Sequence, residues 1–175
     1  NSEVAYMGCR TRVMGNVHDP SREVTCGRGN LSFTSVNLPR LALEAKGDLE
    51  KFYAGLDEMT ELVIRQLYHR FKIQCAKRCR NYPFLMGQGV WIDSETLEPG
   101  DSIAELLKHG TLTMGFIGLA ECLKALIGKH HGESPEAQKL GLQIIGRMRR
   151  HMDEESARTD LNFTLIATPA EGLSG

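Results

Sequence analysis

The sequence predicts an α/β fold, and two observations lead to that prediction. Three segments of seven or eight residues, at 31–38, 111–117 and 161–167, have the apolar or alternating, partly β-branched character of strands. Between them lie longer segments in which apolar residues recur every three or four positions, as they do in amphipathic helices. Strands that are separated by long helices indicate an α/β architecture.

Residues 1–30 are rich in glycine, arginine and asparagine, and they predict a long structured loop flanked by short extended pieces. Loops of this length in compact proteins are usually functional or disordered. The first strand covers Leu31–Leu38, and Pro39 ends it.

A long helix is predicted from Asp48, which is a plausible N-cap, to about Arg78. Cys75 and Cys79 are four residues apart on this helix and should therefore share a face. Since no third cysteine or histidine stands nearby, they are interpreted as core or surface thiols instead of metal ligands.

A short helix at 102–108 precedes the second strand, 111–117, and another helix follows to about Leu126 and ends near Gly128. Ser134 then supplies an N-cap.

Pro135 occupies the first turn of the helix that Ser134 caps, and this helix continues to about Arg158. The third strand, 161–167, follows, and Pro169 is predicted to begin a final helix.

Composition excludes several classes of protein. Hydrophobic residues make up 41% and charged residues 25%, which is average for a globular protein. The formal net charge of −1 gives no broad field that would attract nucleic acid or an anionic membrane. No apolar run approaches the roughly 18 residues that span a bilayer. Five cysteines, an odd number, argue against a secreted disulfide framework, so a cytoplasmic protein is expected.

The ends of the chain predict a piece of a longer protein. The sequence begins at Asn1 without a methionine, and it stops at Gly175 directly after the predicted opening of a helix. An incomplete core is therefore expected.

Cys9 is the first candidate functional residue, because a cysteine that follows Gly8 in a loop can be presented at the tip of that loop. The neighbouring Arg10 and Arg12 would favour a thiolate, whereas a radical mechanism needs only the S–H bond. A small buried hydrophobic residue remains the alternative interpretation of Cys9.

The second candidate is the segment 165–172, in which a buried strand enters a tight turn that opens a helix. Free backbone N–H groups at such a turn bind phosphate. The alternative is an ordinary turn in which Thr168 caps the helix and Glu171 complements the helix dipole.

Two further features are interpreted as structural. His130 and His131 are adjacent and therefore point to different sides, so a metal site there is not predicted. The basic run 147–150 is interpreted as a solvated helix face.

Several stretches together resemble one family, the anaerobic (class III) ribonucleoside-triphosphate reductases. They follow one another in order along nearly the whole chain: 6–11, 27–40, 83–89, 109–121, 130–134 and 167–175. An ordered match of this length is far more specific than any single motif.

The resemblance implies a ten-stranded α/β barrel with a central finger loop. Residues 1–30 would form the finger-loop region and residues 31–175 the strand and helix units of a partial catalytic barrel. Cys9 falls at the tip of the finger loop, where it would carry a transient thiyl radical. That radical would abstract the 3′ hydrogen of a ribonucleotide and start the loss of the 2′-hydroxyl as water.

Other site residues follow from the same resemblance. Thr11 matches the hydroxyl residue that this family has two positions after the cysteine. Asn37 is chosen as the active-site asparagine on the strand after the finger loop, with Asn30 as the alternative. Substrate phosphates would bind to the turn that contains Thr168, Ala170, Glu171 and Gly172.

The resemblance also implies cofactors and partners. The family has a glycyl radical and a zinc site on a C-terminal segment, and an N-terminal cone for ATP and dNTP effectors; neither region is in this sequence. A formate or thioredoxin-type reductant would supply electrons. The partners would be a ribonucleoside triphosphate, an activating enzyme that uses S-adenosylmethionine and an iron–sulfur cluster, and a second subunit in a homodimer. No nucleic acid or membrane partner is expected.

Two other functions are retained as alternatives. One is a glycyl-radical enzyme of the lyase or dehydratase kind, although the lyase has two adjacent cysteines where this chain has only Cys9. The other is a non-catalytic nucleotide-binding module.

Overall fold

A three-stranded parallel sheet forms the centre of the structure. The computed structural model describes residues 4–7 and 11–170. Strand β3 (Asn30–Asn37) pairs in parallel with β4 (Thr111–Ile117), and β4 pairs in parallel with β5 (Asn162–Ala167). The three strand predictions are therefore confirmed to within one residue at each end, and the α/β class is confirmed with them.

Among the described residues, five α-helices accompany the sheet: α1 (Leu38–Ala45), α2 (Leu49–Cys75), α3 (Ala104–Leu107), α4 (Leu119–Ile127) and α5 (Pro135–Thr159). The predicted N-caps of the two long helices are confirmed. The Asp48 carboxylate accepts a hydrogen bond of 3.1 Å from the Lys51 N–H, and the Ser134 hydroxyl accepts one of 3.1 Å from the Ala137 N–H. Each cap satisfies a backbone donor that has no partner inside its helix.

Helix α1 was not predicted from the sequence. Pro39 was expected only to end the strand, but it lies in the first turn of α1, where its fixed φ and missing N–H suit a helix. The Asn37 side chain caps this helix by accepting a hydrogen bond of 3.1 Å from the Arg40 N–H.

The prediction that Cys75 and Cys79 share one helix face is wrong. Helix α2 ends at Cys75, and Cys79 begins a separate 3₁₀ turn, Cys79–Asn81. The chain leaves the helix here because Arg78 is extended and forms a β-bridge with Ser102. The Cys79 N–H then donates to the Asp101 carbonyl at 3.0 Å.

The helices cover one face of the sheet. Leu112, Met114 and Leu165 point into this layer and are buried. Helix α2 crosses the same face, since the Tyr68 ring stacks on Phe163 with centroids 6.4 Å apart and Arg70 donates to the Phe33 carbonyl at 3.0 Å. Along the described residues, no helix has the length and apolar character needed to cross a membrane.

The basic run at 147–150 is not a uniformly solvated face. Met148 is fully buried, and Arg147 forms a bidentate ion pair with Asp57 of α2, with distances of 2.6 and 2.5 Å. The guanidinium also lies 5.2 Å from the centroid of the Tyr53 ring. Arg147 therefore joins α5 to α2, and the Arg147 guanidinium holds the pKa of the Asp57 carboxyl below its usual value.

A β-hairpin precedes the sheet, in the region that was predicted as a loop. Strand β1 (Val4–Met7) pairs antiparallel with β2 (Thr11–Met14), and Met7 is opposite Thr11. Strand β2 also contacts β3 and β4. The short extended pieces predicted in this region are present as β1 and β2, whereas their pairing into a hairpin was not predicted.

Helix α5 offers a test of the core assignment. Ile144 is fully buried and Leu142 is 66% exposed on the same helix. We expect Ile144→Ala to lower the free energy of unfolding by about 2–5 kcal/mol. Leu142→Ala should change it by only about 0.5 kcal/mol. Urea unfolding followed by circular dichroism measures both changes, and equal losses in the two variants would contradict this packing.

Candidate functional site

A cavity of about 690 Å³ lies at the carboxyl ends of the three parallel strands. Asn37 at the end of β3, Gly118 after β4, and Thr168 and Ala170 after β5 all border it. Helices α4 and α5 supply much of the remaining wall, which includes Leu119, Ala120, Glu121 and Ile145. Ligands of open parallel sheets usually bind at this edge, because loops from several strands meet there.

Thr168 is held in place on two sides. Its N–H donates a hydrogen bond of 2.9 Å to the Phe116 carbonyl and so extends the pairing of β4 with β5 by one step. Its hydroxyl shares a hydrogen bond of 2.8 Å with the hydroxyl of Ser35. The turn that follows β5 therefore has a defined position relative to both other strands.

Gly115 makes this arrangement possible. A Cβ atom at this position would lie 2.2 Å from the Thr168 Oγ1 and 2.8 Å from the Ser35 Oγ, closer than non-bonded atoms approach. Only glycine leaves space for the two hydroxyl groups to meet across the middle strand.

Gly118 brings two other elements together at the cavity. Its φ is +71°, a conformation that favours glycine, and a Cβ atom here would lie 2.3 Å from the Pro39 Cγ. Gly118 is the N-cap of α4 and makes no side-chain cap hydrogen bond. The first turn of α4 therefore borders the cavity, and its backbone N–H groups carry the positive end of the helix dipole.

The two asparagines considered for the active site lie at opposite ends of β3. Asn37 borders the cavity, and its side-chain oxygen accepts the hydrogen bond that caps α1. Asn30 accepts a hydrogen bond of 3.1 Å from the Thr113 hydroxyl. They are seven residue steps apart along the strand, on the order of 23 Å.

The other predicted site residues have mixed outcomes. Thr168 and Ala170 border the cavity together with Asn37, so these three predicted residues are brought together. Cys9, Glu171 and Gly172 lie outside the described residues, and their predicted roles remain predictions. Of Thr11 only the backbone is described, in β2 opposite Met7.

Fewer backbone N–H groups are available to bind phosphate at the turn after β5 than the sequence predicted. The Thr168 N–H is already bonded to Phe116, and Pro169 has no N–H. The predicted anion site therefore depends on the N–H groups from Ala170 onward.

Cysteines and histidines in the described residues do not form a metal centre. No group of three or more His, Cys, Asp or Glu side chains in residues 4–7 and 11–170 is arranged to hold a metal ion. The His130 Nδ1 instead accepts a hydrogen bond of 3.0 Å from the Gly132 N–H. Burial raises the pKa of the Cys122 thiol to about 12, so it is neutral at physiological pH. Cys26 is exposed.

Sequence reasoning missed Ser35 and Gly115. A glycine inside an otherwise apolar strand is a known signal for close backbone approach, and Gly115 carried that signal. Ser35 carried none, because its importance depends on Thr168, which follows β5 and reaches Ser35 across Gly115 of the middle strand.

Comparison with known proteins gives a consistent result. A family model described as anaerobic ribonucleoside-triphosphate reductase matches residues 1–175. The anaerobic ribonucleoside-triphosphate reductases of Salmonella typhimurium and Escherichia coli are 34% and 33% identical to this chain over 170 residues. These matches cover 95% of this chain and 24% of each relative, so the chain spans about a quarter of their length.

A solved structure shares the fold. The anaerobic ribonucleotide reductase of Thermotoga maritima with citrate in the active site has a TM-score of 0.62 and 21% identity. The likeness covers 81% of this chain and 25% of that one.

Two glycine substitutions test the close approach at Thr168. We expect Gly115→Ala to lower the free energy of unfolding by about 1–3 kcal/mol, because the new methyl group overlaps the two hydroxyl groups. Gly146→Ala in α5 is the control, since nothing lies within 4 Å of its Cβ position and alanine favours helix by about 0.5–1 kcal/mol. Chemical denaturation checks both, and a neutral Gly115→Ala would contradict the geometry.

Proposed function

Because the chain belongs to the anaerobic ribonucleoside-triphosphate reductase family, we propose that it supplies the catalytic-barrel segment of such an enzyme. The whole protein would reduce ribonucleoside triphosphates to 2′-deoxyribonucleotides for DNA synthesis. The observation that carries the proposal is the family match along the entire chain, in which the residues at 37, 168 and 170 border one cavity. The match favours reduction over the lyase, dehydratase and binding-module alternatives.

The proposed architecture is a ten-stranded α/β barrel of which the described parallel sheet is one part. Residues 31–175 would form strand and helix units of its wall, and residues 1–30 would contain the finger loop. Two features support this arrangement. The helices lie on one face of the sheet, as they do outside a barrel, and strand β2 contacts β3 and β4.

Cys9 would perform the central chemical step. Its thiyl radical would take the 3′ hydrogen of the ribose, so that an S–H bond forms and the unpaired electron moves to the sugar. Loss of the 2′-hydroxyl as water would follow. Pairing of Met7 with Thr11 supports the role, because the strands of a hairpin lie directly on either side of the segment that contains Cys9. Water and oxygen must be excluded from such a radical.

The cavity would receive the nucleotide with its phosphates at the carboxyl edge of β5. Backbone N–H groups of Ala170, Glu171 and Gly172 would bind the phosphates, and the Thr168 hydroxyl would border them. Asn37 would contribute its free amide nitrogen beside the substrate. Thr11 would supply a hydroxyl near the reacting ribose.

Other groups would come from outside this sequence. A glycyl radical would generate the thiyl radical by accepting the hydrogen atom of the Cys9 S–H bond, and formate or a thioredoxin-type protein would supply two electrons for the reduction. The proposal also includes an activating enzyme that uses S-adenosylmethionine and an iron–sulfur cluster. It further includes a zinc site, ATP and dNTP effectors, and a second subunit in a homodimer. A cytoplasmic location fits this function.

The role of Cys9 is tested by tritium release from a ribonucleotide that is labelled at the 3′ position. We expect the activated full-length enzyme to release tritium, and we expect Cys9→Ser to abolish release while the glycyl radical still forms. Cys26→Ser is the matched control, since Cys26 is exposed and has no proposed role. Persistent release in Cys9→Ser would refute the thiyl assignment.

Substitution by serine tests whether Asn37 or Asn30 is the active-site asparagine. Serine also caps helices, so Asn37→Ser should preserve α1 and remove only the amide. We expect turnover to fall at least about tenfold, within the range for one lost positioning contact, with the melting temperature unchanged. Steady-state kinetics of Asn37→Ser and Asn30→Ser decide the question. Loss of activity in Asn30→Ser alone would transfer the role to Asn30.

A further inference from the structure

A buried polar cluster lies at the amino ends of β4 and β5, at the opposite edge of the sheet from the cavity. It consists of Asn16, Arg28, His109 and Asn162, whose exposed fractions are between 2% and 4%. Polar side chains are seldom buried to this extent unless their hydrogen bonds are satisfied, because desolvation would otherwise destabilise the fold. Here the hydrogen bonds converge on the segment that leaves the hairpin.

The first set of contacts comes from Asn162 at the start of β5. Its side-chain oxygen accepts a hydrogen bond of 2.8 Å from the Val17 N–H, three residues beyond the end of β2. Its side-chain nitrogen donates to the carbonyls of Lys108 and Gly110 at 2.9 and 3.3 Å. One amide therefore joins the exit of the hairpin to the entry of β4.

The second set comes from Arg28. Its guanidinium donates to the Gly15 carbonyl at 2.6 Å, to the Val24 carbonyl at 2.9 Å and to the His109 carbonyl at 2.8 Å. Gly15 directly follows β2. The rigid, planar guanidinium group thus fixes the end of the hairpin relative to His109, which lies just before β4.

Asn16 completes the cluster between these two side chains. It donates to the Arg22 carbonyl at 3.1 Å and lies 3.0 Å from the His109 Nδ1. Three consecutive residues after β2, at 15, 16 and 17, are therefore bonded to the amino ends of β4 and β5 or to the chain that leads into β3.

A short hairpin keeps a fixed direction only if the residues at its base, here 15–17, are held in place. Two strands of four residues are marginally stable alone and extend about 13 Å. A rotation of about 10° at the base would displace the far end by about 2 Å. A misplacement of about 1 Å can lower a reaction rate by about 100-fold.

We propose that Arg28 and Asn162 are positioning residues that fix the direction of the β1–β2 hairpin, and with it the position of the Cys9 thiol over the substrate. The inference rests on the proposed function for the role of Cys9. It adds that catalysis depends on side chains at the edge of the sheet opposite the cavity. These side chains act on the cysteine through the hairpin and do not contact the nucleotide.

The test compares Arg28→Met and Asn162→Ala with Arg147→Met in the full-length enzyme. Arg147 is the matched control, because it is a partly buried arginine whose ion pair joins α5 to α2. Hydrogen exchange of residues 4–7 and 11–14, glycyl radical content, KM and kcat are measured for each variant. Radical content and KM report on steps that do not need the hairpin direction.

We expect both anchor variants to exchange hairpin amides faster and to lose about 10- to 100-fold in kcat, with KM and radical content within twofold of the parent. Arg147→Met should retain kcat and hairpin protection. If Arg28→Met does not fold, Asn16→Ala removes the contacts of a smaller, uncharged side chain of the same cluster and should show the same pattern.

Unchanged hairpin exchange in the anchor variants, or an equal loss of kcat in Arg147→Met, would overturn the inference. Failure of the proposed function looks different, since tritium release would then persist in Cys9→Ser whatever the anchor variants do. An inactive Cys9→Ser together with fully active anchor variants would remove the positioning role alone.

Discussion

The parallel alignment of β3, β4 and β5 is the constraint on which the other features depend. Parallel strands bring all their carboxyl ends to one edge of a sheet and all their amino ends to the other. Asn37, Gly118 and Thr168 are far apart in sequence and meet at the first edge for this reason. Arg28, His109 and Asn162 meet at the second edge for the same reason. A ligand cavity and a hairpin anchor are thereby separated by the length of the sheet.

The two faces of the sheet carry different kinds of side chain. The face toward the helices carries the buried apolar side chains Leu112, Met114 and Leu165. The opposite face carries hydroxyl groups, including a buried hydrogen bond of 2.9 Å between Thr113 and Thr164 and the one between Ser35 and Thr168. Hydroxyl groups that bond to one another across strands help to fix the register of the strands. The helical face thus stabilises the fold, and the hydroxyl face fixes the geometry of the proposed active site.

Local patterns in the sequence were sufficient for the strands and the long helices, because apolar periodicity and the caps Asp48 and Ser134 act over a few residues. Helix α1 was missed because Pro39 is equally suited to end a strand and to begin a helix. The hairpin was missed because its glycine-rich surroundings are typical of loops and its pairing is not encoded in a hydrophobic alternation.

The cavity was only partly predictable. The strand and turn at Thr168 follow from local residues, and Asn37 was chosen from a family resemblance. The contact of Ser35 with Thr168 and the use of the Thr168 N–H by Phe116 depend on the registers of β3 with β4 and of β4 with β5, which no local pattern specifies. The contacts of Arg28 and Asn162 could not be predicted either, since their partners include backbone N–H and carbonyl groups, which carry no sequence signal.

The most direct test of the proposed function is a crystal structure of the full-length protein with a ribonucleoside triphosphate bound. We expect the phosphates at the turn after β5, within hydrogen-bond distance of the Ala170 N–H, and the ribose C3′ within about 4 Å of the Cys9 sulfur, near reacting distance. Phosphates bound away from this turn, or a ribose that Cys9 cannot reach, would contradict it.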